Sequence, residues 1–71
     1  MKEVLRSNDP TVIAFAKVLL TGEGIEPFEM DVNISVLEGS IGILPRRLMV
    51  RDTEHFRATA ILRDNDVDLG Q

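Results

Sequence analysis

The chain has 71 residues, a formal net charge of −4, 44% apolar and 28% charged residues, and no cysteine. Such a length and composition describe one folded domain, residues 1–71, near the lower size at which a single apolar core suffices. The acidic balance argues against nonspecific binding to nucleic acid or to an anionic membrane. The lack of thiols excludes disulfides, thiolate metal sites and thiol catalysis.

No apolar run approaches the roughly 18–20 residues of a membrane span, and Met1-Lys2-Glu3 leads into ordered-looking sequence without a leader pattern. A cytoplasmic setting is the expectation. The ordered core should cover about residues 2–65, with a C-terminal tail at 66–71.

Glu3-Val4-Leu5-Arg6 is short and compatible with a strand, and Ser7-Asn8-Asp9-Pro10 follows as a helix start signal. Asn8 or Asp9 can accept a hydrogen bond from an orphan backbone N–H, and Pro10 suits the first turn, where its missing donor costs nothing. The helix is predicted from about Pro10 to Thr21. Val12, Ile13, Ala16, Leu19 and Leu20 recur at helical spacing as its core stripe. Phe15 and Val18 widen the apolar arc to roughly 220°, against the roughly 100° that one sheet face requires. That flank calls for a cover, in first place a neighbouring helix of the same chain and in second place a partner chain. Gly22 and Gly24 end the helix, with Ile25 beyond as the apolar contact of the cap.

Phe28-Glu29-Met30-Asp31-Val32 alternates apolar and acidic side chains, the pattern of a strand with one wet face. Glu29 and Asp31 project to the same side, and a solvated face is expected there. Paired carboxylates can perform acid–base work or hold a divalent cation, but no third oxygen ligand stands nearby in a recognisable pattern.

The least ordinary stretch is Ser35-Val36-Leu37-Glu38-Gly39-Ser40-Ile41-Gly42-Ile43-Leu44-Pro45-Arg46-Arg47. Gly39 and Gly42 allow a sharp turn that presents backbone N–H groups in one direction. Ser40 adds a hydroxyl, and Arg46 and Arg47 bring guanidinium forks. Gly39, Ser40, Gly42, Arg46 and Arg47 are therefore the candidate binding residues, for a protein partner or for a small anion such as a phosphate or carboxylate. The spacing is that of neither a P-loop nor a dinucleotide fingerprint. In the plainest reading the glycines simply make the turn, while Val36, Leu37, Ile41, Ile43 and Leu44 plug the end of the core. Those many apolar residues also put contact with protein ahead of contact with an anion.

Arg47-Leu48-Met49-Val50-Arg51 reads as a strand with Leu48 and Val50 on one side and Arg47, Met49 and Arg51 on the other. Asp52 or Thr53 is the expected cap of a second helix from about Glu54 to Asp64, with Ala58, Ile61 and Leu62 inward. Phe56 and Ala60 fall opposite that face, so Phe56 either closes the helix end or meets a partner. Asp66-Val67-Asp68-Leu69 alternates like the stub of a fourth strand. The order β-α-β-β-α, with that stub, predicts an α+β fold, a ferredoxin-like two-layer sandwich with both helices on one face of the sheet.

Catalysis finds little footing. His55 is the only histidine and has no identifiable orienting partner, so nucleophile–base pairs reduce to Ser or Thr with this one residue. No metal-ligand spacing is present, and no cofactor is expected. A sheet without stacking aromatics on an acidic chain also argues against RNA binding.

Glu3-Val4-Leu5-Arg6-Ser7-Asn8-Asp9-Pro10, the helix end Gly24-Ile25, and above all Ser35-Val36-Leu37-Glu38-Gly39-Ser40-Ile41-Gly42 with Leu44-Pro45-Arg46-Arg47-Leu48-Met49-Val50 resemble the putative prokaryotic signal-transducing protein family. The resemblance covers about residues 2–65, and the loop is its most specific part. It implies a ferredoxin-like fold related to the PII nitrogen-regulatory proteins and a bacterial cytoplasmic setting, and it carries no catalytic residues over to this chain. This sequence is much shorter than the PII proteins and lacks their clear final strand and long loop, which speaks against their kind of nucleotide binding. Together the residues and the resemblance lead to a non-enzymatic regulatory module. It would contact an unidentified protein partner through residues 35–47, with homodimer formation open and a small-molecule sensor as the alternative.

Overall fold

In chain order the computed structural model has β1 (Lys2–Ser7), α1 (Pro10–Gly22), β2 (Phe28–Asp31), β3 (Arg46–Val50), a 3-10 turn (Asp52–Glu54) and α2 (His55–Asp64). It describes residues 1–31 and 46–70. Val32 and the predicted loop up to Pro45, with Gly39, Ser40 and Gly42, lie outside the described residues.

The sheet is antiparallel, in the order β1-β3-β2, so the last strand in sequence is the middle one in space. This is the split arrangement in which a hairpin partner inserts between β1 and β2, and it is compatible with a small ferredoxin-like α+β fold. β1 carries a bulge between Glu3 and Leu5. The extra residue, Val4, lets two consecutive side chains, Val4 and Leu5, both be buried. They join Leu48 and Val50 of β3, Ile13, Ala16 and Leu20 of α1, Ile25, and Ala58 and Leu62 of α2 in one cluster. A single cluster shared by both helices and one sheet face means that α1 and α2 form the second layer together.

Local signals explain the helix ends. Asp9 caps α1, its carboxylate accepting from the Thr11 backbone N–H at 2.9 Å and the Thr11 hydroxyl at 2.7 Å. These bonds hold the Asp9 carboxyl below its usual range. At the other end Gly24, at φ +80°, is followed by Ile25, whose N–H reaches back to the Leu20 carbonyl at 2.9 Å while that of Gly24 reaches Thr21 at 3.1 Å. That double return closes the helix and drops Ile25 into the core. α2 ends the same way, the N–H groups of Asp66 and Val67 bonding Arg63 and Leu62, each at 3.0 Å. Here Asp66, at φ +59°, fills the position where glycine is usual.

Four expectations need correction. α2 takes no side-chain cap from Asp52 or Thr53. The 3-10 turn satisfies the first N–H groups with backbone carbonyls, and Asp52 instead binds the Met1 ammonium at 2.9 Å. The solvated side of β2 is reversed. Glu29 lies opposite Leu48, on the side of the helices, with its side chain only 23% exposed, while Met30 faces away and is 42% exposed. Nor does α2 cover the flank of α1, since Phe15 and Val18 remain 49% and 69% exposed. Finally, residues 66–70 form no strand. They run beside the outer edge of β1, joined to it by a hydrogen bond from the Arg6 N–H to the Leu69 carbonyl at 3.0 Å, with Val67 and Leu69 packed on the core.

Candidate functional site

Arg46 and Arg47 begin β3, and strand alternation sends their side chains to opposite faces. Arg46 shares the helix side with Leu48 and binds Glu29, whose other oxygen accepts from Lys17 of α1 at 3.2 Å. The hydrogen bonds from Arg46 first, and from Lys17 next, hold the Glu29 carboxyl below the usual carboxylate range. This ion-pair group closes the rim where β2, β3 and α1 meet. An anion recruited to Arg46 would have to compete with Glu29.

Arg47 lies on the outer face of the sheet, the side turned away from the helices. The register places two rows across that face: Glu3, Met49 and Phe28 in one, Arg6, Arg47 and Met30 in the next. Arg51 continues the same side, its guanidinium carbon 5.6 Å from the centre of the Phe28 ring, within cation–π range. Arg6 pairs with Glu3 at 3.1 Å and Arg51 with Glu26 at 3.0 Å. Arg47 has no carboxylate partner among the described residues, and its buried Nε has no hydrogen-bond partner there either. The result is an apolar strip of one ring and two adaptable thioethers beside the half-buried Arg47. Of the five sequence-predicted residues, the structure thus parts Arg46 from Arg47, and Gly39, Ser40 and Gly42 lie outside the described residues.

On β2 nothing local in the sequence marks this outer face, because acidic Glu29 and Asp31 imitate the wet side of the strand while Phe28 and Met30 occupy it. The one usable signal was the side shared by Arg47, Met49 and Arg51. His55 is half-buried, and its Nε2 sits 3.0 Å from the Glu3 carbonyl oxygen, which pegs the start of α2 to the bulge of β1. Among the described residues no group of three or more His, Asp or Glu could hold a metal ion, and no helix is long and apolar enough to cross a membrane. Open, shallow grooves lie elsewhere among the described residues. One of about 480 Å³ runs along α2 past Phe56, Ala60 and Arg63, and one of about 390 Å³ lies on α1 between Lys17, Val18, Thr21 and Gly22. Phe56 is 87% exposed, so it does not close the helix end.

A family model described as "Putative prokaryotic signal transducing protein" matches residues 1–66. No curated protein and no solved structure matches the chain.

Proposed function

Given that the chain belongs to the putative prokaryotic signal transducing protein family, we propose that it is a cytoplasmic, non-enzymatic regulatory module that acts by binding a protein partner. The contact surface is the outer face of the sheet together with the segment 35–47 that leads into β3. One observation carries this reading: Met30, Met49 and Phe28 line a sheet face that neither helix covers, beside Arg47, which has no carboxylate partner among the described residues. An apolar strip with one guanidinium suits a protein segment bearing apolar side chains and a carboxylate. Small anions alone would leave the strip in water.

The test is a binding comparison. Immobilised wild-type chain and its Arg47→Glu and Met30→Asp variants are exposed to a bacterial lysate, and retained proteins are identified and then measured as purified pairs. The reading expects a partner lost at least tenfold by either substitution, with Arg47→Glu also reducing the salt dependence. A partner that binds all three chains equally would sink it.

A second reading, an anionic small molecule held by Arg47 with Gly39, Ser40 and Gly42 and without Arg46, which binds Glu29 on the opposite face, is favoured by the Nε of Arg47, which has no hydrogen-bond partner among the described residues. A ligand present at 100 times its Kd should stabilise the fold by about 2.7 kcal/mol. Thermal-shift screening of nucleotides and carboxylates with no shift removes that reading.

A further inference from the structure

The central strand sets Arg47 directly opposite Arg6 of β1 on the outer face of the sheet. Side chains at facing positions of adjacent strands have Cβ atoms about 4.5–5.5 Å apart, and like charges placed there destabilise the sheet. Folding alone gives no reason for such a pair. The chain's own carboxylates compensate it only in part. Arg6 is balanced by Glu3 at 3.1 Å, and Arg51, further along the same side, by Glu26 at 3.0 Å and Glu54 at 3.8 Å. Arg47 is half-buried, has no carboxylate partner among the described residues, and its Nε is shut off from water without an acceptor there. A donor left in that state has given up its hydration for nothing in return.

We infer that the Arg6–Arg47 pair is a receptor for one carboxylate of a protein partner, an Asp or Glu side chain carried beside an apolar residue. This rests on the outer face being the partner site and adds what the partner must bring to it. Charge sets the acidic half. With Glu3 offsetting Arg6, a single positive charge stays uncompensated. One carboxylate neutralises it, whereas a doubly charged phosphate would overshoot. Register sets the apolar half. Met30 lies beside Arg47, and Met49 and Phe28 form the next row, about 6.7 Å along the strands. A carboxylate over the arginines and an apolar side chain over Met49 and Phe28 are therefore about two residues apart in an extended segment, or about four in a helix. Basic segments are refused by the same two guanidinium groups.

Three blocked peptides and the NMR signals of the full chain test this. The first peptide repeats leucine-serine-glutamate-serine, the second carries lysine in place of glutamate, and the third glycine in place of leucine. The first should shift the Met30 and Met49 methyl signals and the Arg47 Nε–H, and leave Phe15, Val18 and Phe56 on the helices unmoved. It should bind about tenfold or more tightly than either control, and more weakly as salt is raised. Arg47→Met should weaken that binding by a similar factor yet raise the melting temperature of the free chain, since it removes both the repulsion and the unsatisfied donor. A lysine peptide that binds equally well at Met30 and Met49 would overturn the inference while leaving the face a protein site. Equal binding by the glycine peptide would make the pair a site for free carboxylates, which also overturns it. So would the absence of any shift with the first peptide, or an Arg47→Met chain that melts lower than wild type or binds like it. Shifts confined to the helices would remove the proposed partner surface together with the inference.

Discussion

Glu29 gives the sharpest test of the sheet's orientation. Replacing it by Gln keeps the shape and removes the charge that binds Arg46 and Lys17. Exposed ion pairs contribute about 0.2–1 kcal/mol each, and hydrogen bonds to charged groups away from water about 1.5–3. With its side chain only 23% exposed, Glu29 stands between those cases. The substitution should cost about 1–2 kcal/mol in total. At about 4–8 °C per kcal/mol for a domain of this size, that lowers Tm by roughly 4–16 °C. The loss should depend on pH in a defined sense. The folded-state pKa of Glu29 is lowered from 4.5, so its contribution is complete above that value and disappears as pH falls through the folded pKa. Thermal melts of wild type and Glu29→Gln should therefore differ at pH 7 and converge only as the pH falls below 4.5, through the lowered folded-state value. Equal melting at pH 7, or a gap that persists unchanged into acid, would refute the placement of Glu29 on the helix side.

Leu48→Ala empties the middle of the core and should cost about 2–5 kcal/mol, a large part of the roughly 4–10 kcal/mol expected for a chain this short. Urea titration should show a midpoint well below that of the wild type, with the slope unchanged. Asp66→Gly relieves a left-handed backbone at the end of α2 and should raise Tm by a few degrees, whereas Asp66→Val should lower it. Gly70→Ala places a Cβ 2.0 Å from the Arg6 carbonyl oxygen. It should lift the tail from β1, and hydrogen exchange at the Arg6 amide should quicken while that of Leu48 does not.

Much of the scaffold could be read from local pattern. α1 starts at Pro10 as predicted and ends one residue past Thr21, because capping chemistry acts within a few residues and leaves a signature in sequence. The inward side of β3 was also readable, Leu48 and Val50 being buried. β2 shows why the rest was not. Alternation gives a period of two but no phase, and the side that faces the helices is decided by pairing with β3. The same dependence hid the bulge at Val4, since an extra residue exists only relative to a partner strand. Of the candidate site, the divergence of Arg46 and Arg47 follows from alternation alone. The neighbours of Arg47, by contrast, come from Arg6 and Met30, which no local pattern connects to it.

Among the described residues β1 and β2 do not pair with each other, and both pair with β3. A chain cut short before residue 46 would hold two strands with no mate and a helix with half its support. The core that joins these elements also takes Ala58 and Leu62 from α2, so the chain should fold as one cooperative unit only once both β3 and α2 are present. No stable N-terminal fragment of this protein should be obtainable.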